Sequence, residues 1–254
     1  QDVYQARYGA HGDYEAIALS PWSVQEMFDL TVRAFNLAER FRVPVLLMAD
    51  GAIAHIKERL VVPEKVEIME RRRPKGPDCT PFGTDDPLGV PEMPLLGEGY
   101  RLLITGSSHR PTGRRDDSPR YMQMKVERIN EKIRRARREI TDTVPLQLED
   151  AELAVVSYGA SARPSCSAVL RARSMGIRVG LLRLRTLWPF PDEEVSALSE
   201  MVRAILVVEM NMGKMVREVE RAAKGRARVA PLPKVGGVLP TSDEILEGIR
   251  RLQR

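Results

Sequence analysis

Cysteine and histidine are scarce in this 254-residue sequence, which holds two cysteines, Cys79 and Cys166, and three histidines. Two cysteines are too few for a four-cysteine iron–sulfur or zinc centre within the chain, and they indicate no disulfide framework. The histidines His11, His55 and His109 are too far apart in sequence to form a paired metal motif on one helix. We therefore predict no metal site in this chain and a reducing, cytoplasmic environment.

Long apolar runs are also missing. The longest, such as residues 43–49, fall far short of the ~20 residues that a membrane-spanning helix needs. The first residues have neither the basic and apolar parts of a signal peptide nor an initiator methionine. We expect no membrane segment and no signal peptide, and a chain that begins inside a domain.

Aromatic residues make up only 5% of the sequence and form no base-stacking motif. One segment accounts for the net charge of +5, because residues 110–140 hold 11 lysines and arginines against 5 acidic residues. Such a segment suits an acidic protein partner or a phosphate-bearing cofactor as well as it suits nucleic acid. We predict no nucleic-acid function; RNA binding is an alternative that steep salt dependence would reveal.

Three motifs of nucleotide binding and nucleophilic catalysis are absent from the sequence: GxGxxG, GxxxxGK[ST] and GxSxG. Their absence argues against a dinucleotide site, a P-loop and an α/β-hydrolase. Cys166 lies inside the apolar pattern of a predicted helix. We therefore interpret it as a small hydrophobic residue rather than a nucleophile.

The spacing of apolar residues predicts a β-α-β unit over residues 16–49, ending in a buried parallel strand at 43–49. Seven prolines and five glycines within residues 63–99 predict a long irregular arm. A strand at 100–105 and a helix over 122–140 follow, and the charges of this helix are expected on its solvated face. From about residue 150, strands and helices alternate, which predicts a parallel sheet covered by helices.

The most chemically suggestive segment lies near the N-terminus, where Arg7, His11, Gly12 and Asp13 fall within seven residues ahead of the first strand. A glycine-containing loop that carries Arg, His and Asp could hold a carboxylate substrate or an anionic cofactor. The alternative is an ordinary turn in which His11 and Asp13 satisfy local backbone groups.

Several segments, in this order, resemble the α subunit of 2-oxoacid:ferredoxin oxidoreductases, most of all the 2-oxoglutarate type. They are QARYGAHGDYEAIAL, YRLLITGSSHRPTG, VVSYGASAR, LLRLRTLWPFPDEEV, ILVVEMNMGKMVREVERAA and KVGG. The resemblance covers nearly the whole chain. It implies an α/β fold in which the end of a thiamine-diphosphate pyrimidine-binding domain (residues 1–62) is joined by a long arm (63–147) to a parallel-sheet, transketolase C-terminal-like domain (148–254).

The resemblance also implies roles for particular residues. Arg7, His11, Gly12 and Asp13 are expected at the rim of the substrate or cofactor pocket. Two further groups match family motifs, for which we expect a structural or interfacial role: Thr105, Gly106 and His109 in the arm, and Glu209, Asn211 and Gly213 in the C-terminal domain.

Members of this family decarboxylate a 2-oxoacid on thiamine diphosphate, pass two electrons through iron–sulfur clusters to ferredoxin, and deliver the acyl group to coenzyme A. The resemblance thus implies a heteromer of α–β pairs, with thiamine diphosphate and Mg at the interface with the β subunit and the iron–sulfur cluster in a partner chain. The YPITP and TG[LM]PT[RK] segments of the family are absent. We expect the chain to be inactive alone; a noncatalytic scaffold is the alternative, and the choice of 2-oxoacid stays open.

Overall fold

The computed structural model describes residues 2–84, 86, 88–106 and 108–253. Its helices are α1 (Val3–Tyr8), α2 (Val24–Phe41), α3 (Gly51–His55), α4 (Pro119–Arg135), α5 (Arg137–Ile140), α6 (Ala162–Ser174), α7 (Asp192–Met201), α8 (Met215–Ala223) and α9 (Ser242–Gln253). Its strands are β1 (Ile17–Leu19), β2 (Val45–Leu47), β3 (Thr143–Leu146), β4 (Leu153–Tyr158), β5 (Val179–Leu184), β6 (Thr186–Trp188), β7 (Ala204–Glu209) and β8 (Arg228–Pro233).

A five-stranded sheet, the large sheet, forms the C-terminal half in the order β3-β5-β4-β7-β8. Strands β5, β4, β7 and β8 are parallel, which confirms the prediction, and β3 adds an antiparallel edge that the apolar pattern did not predict. Alternate residues of β4 and β7 point to opposite faces. One face packs on α7 and α8, and the other packs on α6 and α9.

A three-stranded sheet, the small sheet, has the order β2-β1-β6. Strands β1 and β2 are parallel and are joined by α2, so the predicted β-α-β unit is present. Ser23 begins α2, because its hydroxyl accepts a hydrogen bond from the Glu26 N–H at 3.1 Å. Strand β2 is only half-buried, contrary to prediction, because it lies at the edge of the sheet. Strand β6 returns from the C-terminal half to complete the sheet.

A buried ion pair joins α2 to the large sheet. Arg183 of β5 donates two hydrogen bonds of 2.8 Å to the carboxylate of Glu26, and both side chains are almost fully buried. The Arg183 guanidinium also stacks over the Trp22 ring at 4.0 Å. Glu26 forms a second ion pair with Arg185, whose Nε lies 3.2 Å from the Glu26 carboxylate. Because Arg183 is removed from water and Glu26 is its carboxylate partner, the Arg183 charge depends on Glu26 for compensation.

Residues 56–118 form an irregular segment, called the arm from here on because the predicted arm (63–147) also includes α4 and α5. This segment contains no helix or ladder of strands among its described residues. The strand predicted at 100–105 is therefore wrong. Leu103 and Ile104 are about half-exposed, and no described segment pairs with this stretch as a strand. Instead, cationic side chains hold the arm by its carbonyl oxygens: Arg42 donates to Pro81 O at 2.8 Å, and Arg128 donates to Gly89 O at 2.8 Å.

Most cationic side chains of the basic segment, residues 110–140, make contacts within the protein. Nine of its eleven cationic side chains contact a carboxylate or a main-chain carbonyl: Arg110, Arg115, Lys125, Arg128, Lys132, Arg134, Arg135, Arg137 and Arg138. The prediction that these charges all face solvent is wrong for Lys132, which is 6% exposed. Its ammonium donates to the carbonyl of Phe41, where α2 ends and leaves its last carbonyls without helical partners.

No helix among the described residues combines the length and the apolar content needed to cross a membrane.

Replacing one partner of the buried pair should destabilise the fold strongly. Glu26→Gln leaves the buried Arg183 charge uncompensated, so we expect the free energy of unfolding to fall by about 3 kcal/mol in urea denaturation. Glu58→Gln is the control, because Glu58 forms a 2.6 Å ion pair with Arg163 of α6 at the surface, and it should change stability little. Equal effects of the two substitutions would contradict this role of burial.

Lys132 should give the free energy of unfolding a measurable pH dependence. Burial, with Arg128 and Arg42 nearby, lowers the pKa of Lys132 from 10.5 to about 8. Between these values the unfolded chain binds more protons than the folded one, so the free energy of unfolding rises with pH. The rise should be on the order of 3 kcal/mol from about pH 8 to 10.5.

Lys132→Met tests this assignment, because it removes the titrating group while keeping a long apolar stem. We expect the variant to lose the rise in the free energy of unfolding between about pH 8 and 10.5. Subtracting the pH dependence of the variant's free energy of unfolding from that of the wild type isolates the contribution of Lys132, because all other groups are common to both proteins. Identical slopes for the two proteins would show that Lys132 is not responsible.

Candidate functional site

Helix α1 is anchored on the C-terminal half and carries the loop that follows it. The Trp188 indole donates to the Val3 carbonyl at 2.6 Å, and the Tyr4 hydroxyl donates to the Lys214 carbonyl at 2.9 Å. The rings of Tyr4 and Tyr8 lie 6.3 and 5.9 Å from that of Trp188. Val3 and Ala6 are buried in the same core as α7 and α8. These contacts with β6 and with the residue that precedes α8 therefore fix the position of α1.

The His11 loop, residues 9–13, is exposed along its whole length. Its base is closed by Arg7, which donates to Tyr14 O at 2.6 Å and pairs with Glu15 at 3.2 Å. The Tyr14 hydroxyl accepts from Ala10 N at 3.0 Å, which closes the loop on itself. Gly12 has φ of +80°, a conformation that glycine adopts without strain. The structure thus presents an imidazole on a short loop whose base is braced.

A small open cleft of about 170 Å³ lies beside the loop. It is lined by Arg7, Tyr8, Ala10, Gly12, Asp13, Tyr14 and Asn130. Three of the four predicted rim residues therefore line one cleft, while His11, exposed on the same loop, is not among the lining residues. Ligand pockets that enclose a drug-sized molecule measure about 300–1,000 Å³. The cleft is too small to enclose such a ligand, and it suits one wall of a larger site.

Asn130 and Tyr14 were missed by the sequence analysis. Asn130 lies on α4 and donates to Asp13 O at 3.2 Å, a contact between residues 117 positions apart. The apolar spacing gave no signal for it, because that spacing runs through Val126, Ile129 and Ile133 without interruption. Neither the role of Asn130 nor its partner could be predicted from the pattern.

Glu209, Asn211 and Gly213 lie together in the turn between β7 and α8. The buried Glu209 carboxylate accepts from Met215 N at 2.9 Å and Val216 N at 3.0 Å, which satisfies the first N–H groups of α8. Asn211 accepts from Lys214 N at 2.8 Å. These contacts shape the turn that contains Lys214. Because the Lys214 carbonyl accepts a hydrogen bond from Tyr4, the motif helps to position α1.

Tyr158, at the end of β4, completes this turn. Its hydroxyl donates to Glu209 at 3.2 Å and accepts from the Asn211 amide at 2.8 Å. Burial, reinforced by the Glu209 carboxylate, keeps the pKa of Tyr158 well above its usual value. The phenol thus stays a neutral donor, and the network is structural rather than an acid–base pair open to a substrate.

Thr105, Gly106 and His109 lie in the arm and make contacts within it. The Thr105 hydroxyl donates to Gly113 O at 2.7 Å, and the His109 ring lies 3.7 Å from that of Phe82. The His109 carbonyl accepts from Tyr121 at 2.9 Å and Lys125 at 3.3 Å, both on α4. Gly106 is exposed. This motif therefore attaches the arm to α4 and is not part of the cleft.

The carboxyl end of β4, where ligands gather in many parallel sheets, is covered in this chain. Asp50, which follows β2, accepts from Ala160 N at 2.6 Å. Gly159 has φ of +54°, and a Cβ at this position would overlap the Asp50 carboxylate. This edge of the large sheet therefore serves as a joint between the two sheets.

Two larger clefts lie away from these residues. One, of about 640 Å³, is formed by the arm around Cys79 and Tyr100, and the other, of about 620 Å³, lies between β8 and α9. Neither is lined by a predicted site residue. Across the part of the chain that the structure describes, no three His, Cys, Asp or Glu side chains converge as a metal site.

Comparison with protein families identifies the chain's relatives. Residues 1–128 match the family described as pyruvate flavodoxin/ferredoxin oxidoreductase, thiamine diphosphate-binding. Residues 151–245 match pyruvate:ferredoxin oxidoreductase core domain II. The chain belongs to the 2-oxoacid:ferredoxin oxidoreductase family. The predicted fold class is confirmed, with a thiamine-diphosphate-binding domain followed by a parallel-sheet domain.

Curated relatives are α-type subunits of such enzymes. The 2-oxoglutarate synthase subunit KorA of Methanothermobacter thermautotrophicus is 48% identical, covering 100% of this chain and 68% of the relative. KorA of Methanocaldococcus jannaschii is 42% identical over 96% of this chain and 66% of the relative. The ketoisovalerate oxidoreductase subunit VorB of M. thermautotrophicus is 36% identical over 96% of this chain and 62% of the relative. The chain thus spans about two thirds of the length of these relatives.

A solved structure has the same fold. It is 2-oxoglutarate:ferredoxin oxidoreductase from Magnetococcus marinus with 2-oxoglutarate, coenzyme A and succinyl-CoA bound, and it matches with a TM-score of 0.87 at 22% identity. The match covers 100% of this chain and 45% of that chain.

Proposed function

We propose that this chain is the part of an α subunit that, with a β subunit, builds the thiamine-diphosphate site of a 2-oxoglutarate:ferredoxin oxidoreductase. The enzyme would convert 2-oxoglutarate and coenzyme A to an acyl-CoA and CO₂ while two electrons pass to ferredoxin. The observation that carries the proposal is the 48% identity with a 2-oxoglutarate synthase subunit along the whole chain. The scaffold alternative gains no support from relatives that all carry enzyme names.

The chain fits one wall of a shared cofactor site rather than a complete one. Its cleft of about 170 Å³ is open, and its described residues hold no metal-binding cluster. We therefore assign the ligands of Mg and the diphosphate to the β subunit, and the iron–sulfur cluster to a partner chain, since two cysteines cannot hold one here. When bound, thiamine diphosphate supplies the carbanion stabilisation that decarboxylation requires.

We assign different roles in that wall to the four predicted residues. The Arg7 guanidinium is committed to Tyr14 and Glu15, so it shapes the base of the loop. His11 is the side chain presented outward, where its imidazole can donate a hydrogen bond to a substrate carboxylate. Gly12 and Asp13 set the path of the backbone beneath it. We expect such a wall to position and orient the bound 2-oxoacid.

The division into residues 1–62, 63–147 and 148–254 is part of the same proposal, as are a heteromer of α–β pairs and a cytoplasmic location. A 2-oxoglutarate substrate is favoured over a branched 2-oxoacid because identity with KorA, at 48%, exceeds identity with VorB, at 36%.

The direct test is to purify the complex that a tagged form of this chain forms in its own cells. The eluate is then assayed for coenzyme-A-dependent reduction of a viologen dye with 2-oxoglutarate, pyruvate and 2-oxoisovalerate in turn. We expect reduction with 2-oxoglutarate above the other two acids. A complex that contains a β subunit and thiamine diphosphate but reduces no dye with any of the acids would contradict the proposal.

His11→Ala tests the role of the loop within that enzyme. Because the side chain is exposed, the melting temperature should not change, while kcat/KM for the 2-oxoacid should fall about tenfold or more. His55→Ala is the matched control, since His55 is also exposed but lies on α3. Wild-type kinetics for His11→Ala would remove His11 from the site.

A further inference from the structure

The His11 loop is held by very few contacts. Those at its base are local, because Arg7, Ala10, Tyr14 and Glu15 lie within nine residues of one another. Between them the chain is exposed and carries a glycine at φ of +80°. Such a segment has many accessible conformations, and ordering it on ligand binding would cost free energy.

One contact reaches the loop from another element. Asn130 of α4 is 8% exposed, and its amide donates to Asp13 O at 3.2 Å and to Val126 O at 2.8 Å. A buried amide is unfavourable unless its hydrogen bonds are made, and an apolar residue between Val126 and Ile133 would pack at least as well. The amide is therefore better explained by the loop than by the helix.

We propose that Asn130 is a positioning residue, which fixes the backbone at Asp13 and thereby the direction in which His11 faces the 2-oxoacid. This inference rests on the function proposed above and names a residue of that same site. Asn130 acts through the main chain of the loop and does not touch the reacting atoms.

Helix α4 is suited to this role because it is itself fixed on both sides. Tyr121 and Lys125 bind the His109 carbonyl of the arm, and Ile133 lies in the core of the small sheet with no exposed surface. Asn130 is placed between these anchors. A rigid support restrains a loop more effectively than contacts within the loop itself.

The test uses the assembled enzyme with Asn130→Ser in this chain. A serine hydroxyl can still bond the carbonyl four residues back, at Val126, but it is too short to reach Asp13. We expect hydrogen exchange at the Ala10 amide, which the Tyr14 hydroxyl protects within residues 9–14, to become about tenfold faster or more. We also expect kcat/KM for the 2-oxoacid to fall about tenfold, with the melting temperature nearly unchanged.

Ile133→Val is the matched control on the same helix. It removes a buried methyl group and should lower the melting temperature, but it leaves the contact with Asp13 in place. Exchange in residues 9–14 and kcat/KM should therefore stay at wild-type values. A control that altered both would mean that general destabilisation explains the serine variant, and would overturn the proposal.

Two results for the serine variant would also overturn the positioning role: unchanged exchange in residues 9–14, or faster exchange with unchanged kcat/KM. Failure of the proposed function is recognised separately, because the wild-type enzyme would then reduce no dye with any 2-oxoacid. The exchange measurement needs no turnover, so it still decides whether Asn130 holds the loop.

Discussion

The structure depends on the buried ion pair between Glu26 and Arg183. It is the charged contact that joins the helix of the small sheet to a central strand of the large sheet with almost no access to water. Removing Glu26 would leave the buried Arg183 charge without its carboxylate partner, whereas the surface pair Glu58–Arg163 can be lost at little cost. Together with the Asp50–Ala160 hydrogen bond and strand β6, this pair links the small sheet to the large sheet.

Three motifs that are far apart in sequence act on the same loop through different supports. The turn at Glu209 places the Lys214 carbonyl, which holds α1 through Tyr4. The arm at His109 is bound to α4, and Asn130 of α4 holds Asp13. The loop is exposed, while the residues that hold it, Tyr4, Lys214 and Asn130, are half-buried or buried. This arrangement explains why residues with family-like spacing outside the loop have structural rather than chemical contacts.

The sequence was sufficient where a pattern is local. The apolar spacing over residues 16–49 predicted the β-α-β unit, and the alternation of strands and helices from about residue 150 predicted the parallel sheet. The sequence was not sufficient where a strand pairs with residues far away in the chain. Strand β6 has three residues and joins a sheet formed more than 130 residues earlier, while residues 100–105 have strand-like composition but no partner. Likewise, the loop could be found from its residue types, but Asn130 could not.

The proposed function requires that the His11 loop form one wall of a site completed by another chain. An electron cryomicroscopy structure of the assembled enzyme with 2-oxoglutarate bound would test this directly. We expect the acid beside the His11 imidazole, with the cofactor held largely by the β subunit and Asn130 still bonded to Asp13. A structure in which the loop faces solvent, with the acid bound elsewhere, would contradict it.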